Sequence, residues 1–400
     1  MAAETTQPGL KRRLGFGLLT LYGVGVMVGA GIYVLVGAVA GQAGVWAPLA
    51  FVLAAIIAAP TGLSYAELTG RIPEAAGEAA YLRAATGQPL AAAAVGLAIE
   101  VVGVVSAAVV LQGGVGYLRA IVDLPEALLI VTIGSALGIA ALIGVLESLM
   151  LAAVLTVIEV IGLLVVIGVG ATGPVAIQPD IALSFSLVGI AAGGILAFFA
   201  FLGFEDMVNM VEETRDPART VPRAIFAALA VTTILYVLVS WAAARVVPVD
   251  QLSESRQPLA LVFETATGRS AGFLAMIAVA AALNGVLAQI VMSARVLYGL
   301  GRFLRPLRVF HHAHPRFGTP VLATLLATTV TVTLALTAPL LALAELTSAV
   351  LLLVFIAING ALIVLKQGGP PPVGVFVAPR WVPWAGAAGS GVALIWAVAS

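Results

Sequence analysis

Long apolar runs, separated by charged or Pro/Gly-rich breaks, set the pattern of this chain. They lie near 14–40, 45–70, 89–118, 126–144, 148–171, 185–211, 222–244, 271–301, 320–338, 341–365 and 381–399. Each is near the about 20 apolar residues that cross a bilayer as a helix. The pattern therefore predicts eleven spans. The stretch Pro258 to Ala266 is too short to cross and predicts a re-entrant or interfacial helix. Two runs are interrupted at matching places in the two halves: Gly23 to Ile32 in the first, Phe198 to Asp206 in the sixth. Paired interruptions of this kind point to the central binding site of a transporter.

Composition fixes the class. Hydrophobic residues are 62% of the chain and charged residues 10%, and the mean hydropathy is +1.14. A soluble domain would be about a quarter charged. The runs are continuous and do not alternate, so the chain reads as an all-α membrane protein and not a β-barrel. A net charge of +0 gives no ground for a nucleic-acid partner, and the absence of cysteine excludes disulfides and thiolate metal sites. His311, His312 and His314 sit in a basic loop and read as solvated, with too few ligands for a metal. Lys11-Arg12-Arg13 leads into a run too long for a signal-peptide core, so a cleaved leader is not expected.

Orientation follows from Lys and Arg. With the N-terminus in the cytoplasm, fourteen of the nineteen fall inside and four outside, with Arg295 in the eighth span. This positive-inside bias predicts a multi-pass protein of the cytoplasmic membrane. An odd number of spans puts Ser400 outside.

The interrupted segments have a chemical use. Gly29, Ala30 and Gly31 leave the backbone uncovered, and N–H groups freed at a half-helix start form a site for a carboxylate. Small residues also let helices pack closely, so this segment alone leaves both readings open. The second segment adds Glu205 and Asp206, two acids in an apolar span, where ionisable groups are functional by default. Their alternative is a cap at the cytoplasmic end beside Arg215 and Arg219.

Motifs in these places resemble those of amino acid–polyamine–organocation permeases. The first is Gly23-x-Gly25-x-x-x-Gly29-Ala30-Gly31-Ile32-Tyr33. Ser64-Tyr65-Ala66-Glu67-Leu68 follows, with Pro73 and Gly77-Glu78. Next come Phe198 to Glu205, Glu212 to Pro217 and Val221 to Ile225, then Ser293 to Tyr298 and Pro315 to Pro320. The resemblance spans about residues 10–380. It implies a LeuT-like fold of two inverted five-helix repeats in one transmembrane domain, about 14–171 and 185–366, with an extra helix at about 381–399. It also implies that an amino acid's carboxylate binds the N–H groups of Ala30 and Gly31, with Gly29 making room. The amino group would meet the carbonyls of Met27, Phe199, Ala200 and Leu202, and Phe201 and Phe204 would close over the substrate.

Energy coupling turns on buried acids. Glu159 lies mid-span, where a charge costs about 2.5–3.5 kcal/mol even on mild insertion scales. A carboxyl there that takes up and releases a proton is the first candidate for coupling. Several proton-coupled relatives carry a lysine three residues after a threonine in this helix. Thr156 and Glu159 match that spacing with a different residue, so the charge cycle would be opposite. Structural burial with a hydrogen bond to Thr156 is the alternative. Glu100 is a rival, and Glu67, nearer the cytoplasmic end, reads better as half of a gate ion pair with an arginine. Sodium coupling is second: Gln289 and Ser293 share a helix face, with Asn284 further out, yet relatives that use sodium supply two adjacent hydroxyls where Ser293 stands alone.

The expected function is secondary active transport of an amino acid, proton-coupled, with no cofactor and no enzyme activity. Sodium coupling, exchange of amino acids or polyamines, a channel and a transport-dead sensor are the alternatives. No ring of selectivity groups, output domain or nucleophile–base set supports the last two or an enzyme.

Overall fold

The computed structural model describes residues 14–73, 77–119, 121–143, 149–314 and 319–399. Lys11, Arg12, Arg13, Pro315 to Gly318 and Ser400, used above for orientation and motifs, lie outside them.

Helices follow the apolar runs closely. α1 is Phe16–Ala43, α2 Ala47–Arg71, α3 Gly77–Thr86, α4 Pro89–Leu118, α5 Glu126–Ile143 and α6 Leu149–Thr172. After a single turn, α7 (Asp180–Leu183), come α8 (Leu187–Phe199) and a 3-10 helix, Glu205–Glu213. Then follow α9 (Pro217–Val246), α10 (Val249–Glu254), α11 (Pro258–Thr267), α12 (Gly272–Phe303), α13 (Val321–Thr337), α14 (Leu340–Gln367) and α15 (Val382–Ala399). Pro opens α4, α9 and α11, where its missing N–H costs nothing. Ser186 caps α8 by accepting from the Gly189 N–H at 3.1 Å. Gly268, at φ +67, closes α11 in the left-handed conformation.

Among the described residues, seven helical segments are long and apolar enough to cross a membrane. Four shorter apolar helices, Phe16–Gly29, Leu187–Phe199, Val321–Thr337 and Val382–Ala397, accompany them. The chain is thus an all-helical, multi-pass membrane protein. The apolar pattern missed α3, α7 and α10, which lie in the connections and carry too few apolar residues to register.

Small residues set the packing between long helices, as lipid-embedded interfaces require. α4 lies along α12, with Gly96 against Leu300 and Gly103 against Ser293. α2 meets α9 where Gly62 faces Leu229. A buried polar node joins α2 to α14: Ser64 donates to Asn359 Oδ1 at 2.6 Å, and Asn359 Nδ2 donates to Thr61 Oγ1 at 2.8 Å. Gly386 of α15 packs directly on that asparagine.

Candidate functional site

α1 is one helix in name only. Gly29 has φ 13 and ψ −149, outside helical geometry, so the ladder breaks there into Phe16–Gly29 and the stretch from Gly31 onward. Glycine's small cross-section is used on both sides of the break. A Cβ on Gly29 would meet nothing within 4 Å, whereas one on Gly31 would lie 3.2 Å from the Ala200 Cα. Gly29 therefore opens onto free space and Gly31 touches the second break.

That second break follows α8. Residues 200–204 form turns, with Gly203 at φ +117, a conformation L side chains rarely adopt. A Cβ on Gly203 would approach Val26 Cβ to 3.0 Å. The two breaks are thus in direct backbone contact. Their tails meet as well: Arg215 N–H donates to the Leu14 carbonyl at 2.8 Å.

Tyr236, from the middle of α9, bridges the two breaks. Its hydroxyl lies 2.6 Å from the Met27 carbonyl oxygen and 2.7 Å from that of Ala200. The reading of the sequence did not single out this residue. A tyrosine in an apolar span is the signal that was there, because a buried phenol seeks a partner. The Phe199 carbonyl accepts from Leu202 N–H at 3.1 Å within the turn.

A cavity of about 60 Å³ lies between the breaks, α4 and α12. Met27, Gly29, Gly31, Phe199 and Leu202 line it, and Ser106, Asn284 and Gln289 supply its polar side chains. Ala30 sits in α1 between the two lining glycines. Ala200, Phe201 and Phe204 do not line it. Phe201 turns to Tyr236 (ring centroids 5.2 Å) and Phe204 to Phe355 (5.3 Å) and Tyr65 (5.9 Å). The turn after Phe199 sets both rings in the aromatic packing of α2, α9 and α14.

The acids fall in separate places. Glu159 is 2% exposed, and its Oε2 has no hydrogen-bond partner. Its helix faces α1: Thr156, one turn away on the same side, packs on Gly25, and Tyr33 donates to the Glu159 carbonyl at 2.8 Å. Glu100 is also buried with Oε2 unpartnered, and shares the face of α4 that carries Gly96 and Gly103. Glu205 accepts from Gly203 N–H at 2.9 Å. Arg219 lies 3.9 Å from Asp216. Glu67 is fully buried and clamped: Arg71 Nη2 at 2.8 Å, Lys366 Nζ at 2.7 Å, and the Ala378 N–H donating at 2.8 Å. Ser293 faces Gly103 of α4, away from the first break, and Gln289 reaches the central cavity.

Comparison with known proteins follows the same lines. The family model described as amino acid permease matches residues 14–399. The chain is 30% identical over 404 residues to the branched-chain amino acid permease BcaP of Bacillus subtilis (strain 168), covering 95% of this chain and 86% of that one. It is 32% identical over 396 residues to cationic amino acid transporter 4 of Homo sapiens, covering 92% of this chain and 62% of the relative. It is 28% identical over 406 residues to a methylthioribose transporter of Bacillus subtilis (strain 168), covering 95% and 86%.

Proposed function

The chain belongs to the amino acid permease family, and from that premise we propose that it carries an amino acid across the cytoplasmic membrane by alternating access, driven by protons. The observation that carries this reading is the contact of the two breaks around one cavity, with Gly29 and Gly31 on one side and Phe199 and Leu202 on the other. N–H groups at the start of the outer half of α1 suit a carboxylate, and break carbonyls suit an ammonium. No ionisable side chain is among those lining the cavity, which favours a substrate whose own charges cancel. The relatives are named for branched-chain amino acids, cationic amino acids and methylthioribose, which sets the range to be tried.

The arrangement fits two inverted five-helix repeats. α1 and α8 would be the broken first helices of each, α15 would lie outside the repeats, and the N-terminus would be cytoplasmic. Glu159 is the proton carrier in this scheme. It is buried against the helix that breaks, and one of its oxygens has no partner to satisfy a fixed charge. Uptake into proteoliposomes tests the whole reading, using labelled leucine, isoleucine, valine, alanine, lysine and arginine, with and without an inward proton gradient. Accumulation of one of them, faster with the gradient, is expected. No uptake of any would contradict it.

A further inference from the structure

A second, smaller cavity lies beside the central one, between α4, the second break and α12. It measures about 20 Å³, and its polar lining is Glu205, Asp206, Gln289 and Ser293. We propose that it is a binding site for one desolvated monovalent cation of sodium size, distinct from the proton carrier.

Four observations carry this. First, the Ser293 side chain is 2% exposed and its hydroxyl oxygen has no partner, although it lines the cavity. An unmade hydrogen bond at such depth is costly, and a ligand in the cavity removes that cost. Gly103 opposite lacks the Cβ that would collide with this hydroxyl, so the serine is accommodated and not merely trapped. Second, the two carboxylates are consecutive at the start of the 3-10 helix and, among the described residues, neither forms an ion pair. The helix N-terminus and the Gly203 N–H offset about half a charge. Among the described residues no side-chain cation competes with a bound ion for the remaining oxygens of the two carboxylates.

Third, the volume decides the size of the ligand. Space of about 10–15 Å³ holds one water-sized species, so this cavity has room for one and no hydration shell. Calcium takes about 6–8 oxygen ligands, and magnesium keeps several waters. Neither fits four side chains and no water. A sodium ion held by carboxylate, amide and hydroxyl oxygens does. Fourth, no residue of α1 lines the cavity, and Leu202 and Gln289 line both this cavity and the central one. An ion there would brace the second break against α4 and α12, on the wall of the substrate cavity.

The test uses the purified full-length protein. Its unfolding temperature is titrated with sodium chloride against choline chloride and potassium chloride at matched ionic strength, and binding of radioactive sodium is measured by scintillation proximity. We expect saturable binding of one sodium per chain and a rise in unfolding temperature that choline does not give. Ser293→Ala should raise the half-saturating sodium concentration about fivefold, since one neutral ligand is lost. Asp206→Asn should abolish binding. Both variants are expected to fold, because Ser293 has no bond to lose and Asn keeps the shape of Asp. Equal stabilisation by choline, meaning an ordered water only, would overturn the proposal. So would a preference for potassium, or sodium binding unchanged by Asp206→Asn.

Discussion

Tyr236 donates to the carbonyl oxygen of Met27 at 2.6 Å, and the same hydroxyl stands 2.7 Å from the Ala200 carbonyl. A phenol has one proton, so these two acceptors share it. Of the two, only Met27 lines the central cavity, so its carbonyl is the one that the ammonium group of the proposed substrate would take. The hydroxyl thus holds both breaks together.

Tyr236→Phe removes that one oxygen. Two buried carbonyls then lose their donor, which costs about 1–3 kcal/mol. The unliganded variant should unfold at a lower temperature than the parent. A bound amino acid should restore more stability to the variant than it gives the parent, because the ammonium satisfies the orphaned Met27 carbonyl. Equal ligand-induced shifts in the two proteins would mean that the substrate does not use it.

Glu159→Gln keeps size and hydrogen bonding and removes ionisation. Acceleration of uptake by an inward proton gradient should disappear, while substrate binding and counterflow persist. A full response to the gradient in the variant would make Glu159 structural and pass the role to Glu100, the other buried acid with an unpartnered oxygen.

Glu67 joins α2 to the end of α14 and to the connector before α15 through Arg71, Lys366 and the Ala378 N–H. Glu67→Ala leaves two largely buried cations facing one another, a change that costs about 3–5 kcal/mol. A marked fall in unfolding temperature is expected, and an unchanged one would show that the clamp adds nothing. The double variant with Lys366→Met should recover part of the loss.

Glu78 on α3, outside the spans, gives a pH dependence. Burial pushes its carboxyl up from the ordinary value, opposed by hydrogen bonds from the backbone and from Tyr65, whose hydroxyl is 3.1 Å away. The folded state then holds this proton more tightly than the unfolded one. Its contribution is full below the unfolded pKa and is lost as pH rises through the folded value. Between about pH 5 and about pH 8 the parent should lose more stability than Glu78→Gln. Parallel curves would contradict this.

How much of this was legible in the sequence depends on distance along the chain. α4 begins and ends where its apolar run does, Pro89 to Leu118, because a helix that crosses a bilayer must be apolar along its whole length. The break at Gly29 was legible for a related reason: glycines replace the leucines a plain span would carry. The ring partners of Phe201 and Phe204, Tyr236 and Phe355, were not legible, since the direction of a turn depends on Gly203 and on what packs behind it. Tyr236 was missed because its two acceptors lie 209 and 36 residues away. The placing of Ser293 against Gly103 depends on which face of α12 meets α4, and the few polar residues of α12 do not say which neighbouring helix that face meets.

Gly31 is the residue on which substrate binding by the backbone of the first break depends, because a side chain there would cover the N–H groups and would press on Ala200, whose Cα is 3.2 Å from where a Cβ would stand. Isothermal calorimetry on purified Gly31→Leu, with the amino acid selected by the uptake panel, should show no binding while the protein elutes as a single monodisperse species. Binding with the parent's affinity by that same well-folded variant would contradict the account.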